Sequence, residues 1–304
     1  MPKSNKIIFW GTPAFALPSL QTLHKRGLLA AVITQPDKPA GRGKKLLASP
    51  VKQYCLENNI DILEPVKLGQ AFIDSLQKYL PATFVVVAYG KIIPQTVLDL
   101  SMLSALNIHP SRLPELRGPS PIQTAILRGF DSTAVSLMQL DQKMDHGPIL
   151  GQIGAKIEAN EDYLALADRL AKIGAQLLTD KIDDYLTGQI TPLPQDDSQA
   201  TFCQMINKAD GQIDWSKTTQ EINNQVRAFR QWPIAFTTLG GIDLKIIQTK
   251  PANKKLAPVE VLLEAEQMFV GTGDAAIEIL QLQPAGKKIQ KTADFIRGYG
   301  KLFV

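Results

Sequence analysis

Apolar residues in the first 190 positions follow two alternating rhythms. Short, nearly continuous apolar runs predict strands covered on both faces. They span Lys6–Trp10, Leu29–Thr34, Phe84–Ala88, Ser104–His109 and Ala134–Leu140. Between them lie stretches with helical spacing. Gly11-Thr12-Pro13 leads into a helix reaching about Arg26, and Ser49–Asn59 opens with Ser-Pro, an N-cap followed by proline at the first helical position. Ala71–Tyr79 and Pro121–Arg128 complete the set. Strand–helix alternation of this kind predicts an α/β fold, a doubly wound and mostly parallel sheet with right-handed crossovers. Ile149–Ile157 alternates like a hairpin or edge strand, and Glu161–Leu186 reads as one long helix.

The rhythm then changes. Thr191–Ala200 holds two prolines among acids, Ser and Gln, and reads as a linker. One helix, Thr218–Arg230, precedes five short strands: Pro233–Leu239, Ile242–Gln248, Pro258–Leu263, Met268–Gly271 and Ala275–Leu282. That density predicts a small β-barrel of OB-like type. The expected division is a first domain over 1–190, a linker over 191–205 and a barrel over 206–304. Fold alone assigns the barrel no role.

Composition narrows the class. The 304 residues suit two domains, and 44% apolar with 20% charged residues is ordinary for a globular protein. Cys55 and Cys203 form no CxxC pair, so neither a disulfide framework nor a metal site is expected. The N-terminal apolar run is four residues, too short for a secretion signal, and no run approaches the ~18 needed to cross a membrane. A reducing cytoplasm is the expected compartment, and nothing demands more than a monomer. Net charge is +4, but Thr34–Gln53 alone carries Lys38, Arg42, Lys44, Lys45 and Lys52 against Asp37. Such a patch fits an anionic partner, although a solvated loop has the same composition.

Candidate chemistry sits at the end of one strand. Asn107 and His109 are two apart and project together from the C-terminal end of Ser104–His109, the end where open α/β sheets bind ligands. An amide can hydrogen-bond a developing oxyanion, and an imidazole can move protons near neutral pH. A polar strand end that merely caps a loop would look the same. The proline-rich stretch Asn107–Gln123 follows. Further on, Leu140–Ile149 carries Asp141, Asp145 and His146, and a carboxylate from there could orient the imidazole of His109. The pattern does not say which aspartate. GxGxxG and Walker A motifs are absent and Gly11-Thr12-Pro13 is a weak phosphate loop, so a dinucleotide or nucleoside triphosphate cofactor is not expected.

NIHPSRLPELRGPSPIQ, with MDHGPIL after it, resembles the folate-dependent formyltransferase family. TQPDKPAGRGKKLLASPVK, VVVAYGKIIP, GTPAFA, DGQIDW and FRQWP extend the resemblance over nearly the whole chain. It implies a formyltransferase-type Rossmann-like fold and transfer of a formyl group from 10-formyltetrahydrofolate, without a metal. The basic insertion matches members whose acceptor is the methionine of initiator methionyl-tRNA. Residue by residue, the resemblance puts Asn107, His109 and Asp145 in the catalytic set, and the Met-Asp-x-Gly context favours Asp145 over Asp141. It puts Ser111, Arg112, Leu113 and Pro114 in the folate-contacting loop, and Arg42 with Lys44 and Lys45 in the loop that meets the tRNA acceptor end. The chain departs from the family at Arg112, where leucine is usual, at Ala134, where glycine is usual, and in a shortened segment after Asp145. Two other readings stay open: a formyltransferase for a small amine, and a non-catalytic RNA-binding protein. Lys287, Lys288, Lys291, Arg297 and Lys301 could meet tRNA phosphates, or form a solvated basic tail.

Overall fold

The structure, a computed structural model, describes residues 5–40 and 45–303. The chain runs β1 (Ile7–Gly11), α1 (Leu17–Lys25), β2 (Leu29–Ile33), β3 (Lys38–Ala40), β4 (Lys45–Leu47), α2 (Pro50–Glu57), β5 (Ile62–Leu63), α3 (Gln70–Leu76), β6 (Thr83–Val87), α4 (Gln95–Leu98), β7 (Leu106–His109), α5 (Pro121–Leu127), β8 (Ser132–Gln139), β9 (Ile149–Lys156) and α6 (Tyr163–Thr187). It continues α7 (Thr219–Ala228), β10 (Ala235–Leu239), β11 (Ile242–Ala252), β12 (Val261–Glu264), β13 (Gln267–Gly271), β14 (Ala276–Pro284), β15 (Gln290–Lys291) and α8 (Thr292–Tyr299).

The first sheet has seven strands in the order β5-β2-β1-β6-β7-β8-β9. Pairing is parallel from β5 through β7 and turns antiparallel between β7 and β8. All five residues of β1 and of β6 are buried, as continuous apolar runs require when both faces are covered. Trp10 anchors one core layer, with Tyr89 edge-on at 5.2 Å and Phe72 at 5.7 Å between ring centroids. The Ser49 hydroxyl accepts the Lys52 N–H at 3.1 Å, the cap that the Ser-Pro pair predicts for α2. Gly11 is accounted for by packing. A Cβ there would lie 2.8 Å from the Ala16 Cβ and 3.1 Å from the Val87 carbonyl oxygen.

The second sheet is antiparallel, in the order β10-β11-β14-β13-β12, with β15 against β14. Its core gathers Ile222 and Val226 of α7, Leu244, Ile246, Val270 and Ile277 of the strands, and Phe295 of α8. The basic C-terminal stretch is thus partly folded. Phe295 is fully buried, and Arg297 pairs with Glu266 at 3.0 Å and with Asp294.

The chain forms two compact units that interleave along the sequence. One holds 1–118, 133–155 and 167–202; the other holds 119–132, 156–166 and 203–304. A single linker at 191–205 does not describe that division. Helix α5 packs on α7, Arg227 Nη1 donates to the Glu161 carbonyl at 3.1 Å, and Arg230 Nε lies 3.3 Å from Asp162. These are tertiary contacts between segments far apart in sequence, with no local signature in the chain. Among the described residues no helix is long and apolar enough to cross a membrane.

Candidate active site

Strand β7 sets out the first two residues. Asn107 pairs with Val86 of β6 and Met138 of β8, and His109 stands opposite Ser136. Leu106 and Ile108 are buried on the other side of the pleat, so alternation delivers Asn107 and His109 to one side at the strand's C-terminal end. Asn107 is half-buried, and its amide makes no hydrogen bond to another described residue.

Both ring nitrogens of His109 face oxygens. Nε2 lies 3.0 Å from the Leu116 carbonyl oxygen, which can only accept, so Nε2 carries a proton. Nδ1 lies 3.6 Å from Asp145 Oδ1. At that distance the pair interacts by charge rather than through a direct hydrogen bond. The side chains are 6% and 13% exposed, so little water screens the interaction.

Asp145 reaches His109 because its backbone is bent. It sits at φ +49°, a region unusual for residues other than glycine, Asn and Asp. Its second oxygen, Oδ2, accepts the Gly118 N–H at 2.8 Å. Two residues on, Gly147 passes so close to Gln139 that a Cβ would lie 2.0 Å from the Gln139 carbonyl oxygen. The other pair left open by the sequence is occupied elsewhere. Asp141 Oδ2 lies 2.5 Å from His146 Nδ1, and His146 Nε2 lies 3.3 Å from Asp197. His146 therefore bridges two aspartates, and Asp145 alone of the two candidates meets His109.

The loop after His109 is framed from within. The buried Ser111 hydroxyl donates to the Glu115 carbonyl at 2.6 Å. Ser136 Oγ donates to the Ser111 carbonyl at 2.6 Å and accepts the Leu113 N–H at 3.2 Å. Gln152 Nε2 donates to the Leu113 carbonyl and to Ser136 Oγ, both at 2.8 Å. Leu113 is buried and Pro114 half-buried, so of the four residues expected to contact folate only Arg112 presents an exposed side chain. Its guanidinium sits 3.2 Å from where a Cβ on Gly154 would stand. Arg42 and Lys44 lie outside the described residues, and of Lys45 only the backbone is described, paired with Ala40 across the β3–β4 hairpin.

Sequence reasoning missed a second set around this site. Arg117 is 4% exposed. Its Nε and Nη2 both donate to Gln195 Oε1, at 3.0 and 2.8 Å, and Nη2 also reaches Asp197 Oδ1 at 2.8 Å. That guanidinium holds the Asp197 carboxyl below the usual range for an aspartate. Gln195 Nε2 in turn donates to the carbonyls of Asp145 and Gly147, at 2.9 and 2.8 Å. The one available signal was a second arginine, after Arg112, beside Gly118 in a polar and proline-rich run. Gln195 gave none, because Pro, Gln and Asp together read as solvated chain.

The chain matches the family model described as Formyl transferase over residues 5–182 and that described as Formyl transferase, C-terminal domain, over residues 205–300. It is 41% identical to the methionyl-tRNA formyltransferase of Pelobacter propionicus, over 97% of this chain and 93% of that one. It is 38% identical to that of Bacillus subtilis, over 96% and 94%. Among solved structures, the methionyl-tRNA formyltransferase of Clostridium thermocellum superposes with a TM-score of 0.57 at 18% identity, over 83% of this chain and 96% of that one. The sugar 3N-formyl transferase WlaRD, solved with dTDP and 5-N-formyl-THF, superposes with a TM-score of 0.69 at 24% identity, over 93% and 98%. The chain belongs to the formyl transferase family, and its near full-length relatives set it among the methionyl-tRNA formyltransferases.

Proposed function

We propose that this chain transfers the formyl group of 10-formyltetrahydrofolate to the α-amine of methionine on initiator methionyl-tRNA. The observation that carries the reading is the side-chain amide of Asn107, unpartnered among the described residues, beside a His109–Asp145 pair at the ligand-binding end of a mostly parallel sheet. The near full-length relatives name the acceptor. Folate suits the neighbouring loops. Ile92, 88% exposed, and Val66, 76% exposed, follow β6 and β5 and offer apolar surface to a planar ring, with Lys91 beside Ile92 for an anionic tail.

In the proposed reaction the neutral amine attacks the formyl carbon, giving a tetrahedral centre with a negative oxygen and a positive nitrogen. A fraction of the amine is neutral near pH 7, since α-amino groups titrate at about 7.7. The Asn107 amide donates to the oxyanion, a bond worth about 3 kcal/mol of barrier in comparable sites. His109 lies beside the same centre, with Nδ1 toward the Asp145 carboxylate. The nitrogen loses its proton toward the His109–Asp145 pair, the bond from carbon to N10 breaks, and N10 takes up a proton. Formyl-methionyl-tRNA and tetrahydrofolate leave. No residue of the protein becomes acylated. The cytoplasm, where charged tRNA and reduced folates meet, is the proposed compartment.

The test is acceptor choice. Tetrahydrofolate release is followed with charged initiator tRNA, with glycinamide ribonucleotide and with a dTDP-amino sugar. Release with tRNA alone is expected. Release with a small amine alone, or tRNA binding without release, overturns the reading.

A further inference from the structure

Residues 116, 117 and 118 hold both members of the His109–Asp145 pair. The Leu116 carbonyl takes His109 Nε2, and the Gly118 N–H holds Asp145 Oδ2. Between them, the Arg117 side chain turns to Gln195. Gln195 then returns to the loop of Asp145 by donating to the carbonyls of Asp145 and Gly147. We propose that Arg117 and Gln195 are positioning residues for formyl transfer, fixing the main chain of Asp145 so that its carboxylate faces His109. The proposal rests on the functional reading above.

Three physical points carry it. First, Gln195 uses both ends of its amide: Oε1 accepts two N–H groups and Nε2 donates two, its full donor capacity. No other common side chain of that length donates and accepts in this way. Second, Asp145 turns the chain through the left-handed region, so the direction of its carboxylate depends on how its main chain is held. Gln195 grips the carbonyl of that residue. Third, the segment carrying Gln195 is itself fixed to the sheet unit at both ends. Leu193 exchanges two backbone bonds of 2.8 Å with Ile149, while Thr201 accepts the Arg117 N–H on its carbonyl and the Leu116 N–H on its hydroxyl, both at 2.9 Å. His146 adds a second tie between loop and segment, from Asp141 to Asp197. A stretch with linker composition thus acts as a strut under the site.

Gln195→Glu separates positioning from anchoring. A carboxylate still accepts from Arg117, but it cannot donate, and it sets negative oxygens against two carbonyls. With initiator tRNA and 10-formyltetrahydrofolate, kcat should fall about 10- to 100-fold, with both KM values within about twofold of wild type. The kcat–pH profile should shift. In an Asp145→Asn background the same substitution should add less than about twofold, because the two act through one carboxylate. Unchanged kcat and pH profile, or a loss that simply multiplies with that of Asp145→Asn, overturns the proposal. Gln195→Met, which preserves bulk without polar groups, replaces the glutamate variant if the latter melts early. A wild-type protein inactive on tRNA would sink the functional reading separately. The His109 ring titration followed by NMR then decides on positioning alone, since Gln195→Glu should move it and an unmoved titration overturns the proposal.

Discussion

Asp141 and Asp145 stand four residues apart in one loop, yet only the second faces His109. Residue chemistry alone does not announce this, and only the family's Met-Asp-x-Gly context favours Asp145. The choice depends on a left-handed turn at Asp145 and on the Gly118 N–H brought from another segment. Asn107 and His109, by contrast, are legible in the sequence, because strand alternation alone puts residues two apart on one side. The reactivity of Cys55 also stands on residue detail. Cys55 is fully buried in α2, and burial pushes its thiol up to about 12. The thiolate is the reactive form, so Cys55 should resist iodoacetamide at pH 8 in the folded protein and react at once in denaturant. Rapid labelling of native Cys55 would contradict its placement.

At the scale of elements, the strand and helix rhythm of the sheet unit was readable because each piece carries its own periodicity. The β3–β4 hairpin was not, since its residues read as a charged loop. Its base is pinned from outside. Lys52 Nζ lies 2.9 Å from Asp37 and 2.9 Å from Glu64, and those hydrogen bonds raise its pKa. Helix α7 shows the opposite case, a boundary written locally. Thr218 and Glu221 form a reciprocal capping box, and Asp274 Oδ1 accepts the Thr219 N–H at 2.8 Å. Thr218→Ala should destabilise the C-terminal unit by about 1 kcal/mol at pH 7, read as a lower melting temperature. Hydrogen bonds from Thr218 and Thr219 lower the folded-state pKa values of Glu221 and Asp274. Their contribution is therefore present above the ordinary carboxylate range, near pH 4, and is lost as pH falls through the lowered values. The penalty of Thr218→Ala should shrink in melts below that range. An equal penalty at pH 7 and pH 2 would contradict the capping account.

At the scale of the whole molecule, the two-unit division was only partly visible in the sequence. The second sheet was readable from its density of short strands, while the membership of 119–132 and 156–166 depends on packing against α7. The segment around Gln195 shows the limit most clearly, because Pro, Gln and Asp look the same in a solvated linker and in a strut. Charge supplies a further test at this scale. If the basic stretch Thr34–Gln53 meets tRNA, log KM for tRNA should rise linearly with log salt, by about 0.9 per phosphate contacted. Arg42→Ala should lower that slope by about one while leaving the KM for folate unchanged. An unchanged slope would remove Arg42 from the tRNA surface.

The most direct measurement is kcat for formyl transfer to charged initiator tRNA, at saturating 10-formyltetrahydrofolate, in the wild type and Asn107→Ala. The Asn107 side chain has no hydrogen-bond partner among the described residues, so its removal should leave the fold intact and act on the reaction alone. The expected result is turnover by the wild type and a kcat about 100- to 1,000-fold lower in the variant. An Asn107→Ala protein with near wild-type kcat, or a wild type that releases no tetrahydrofolate, would contradict the account.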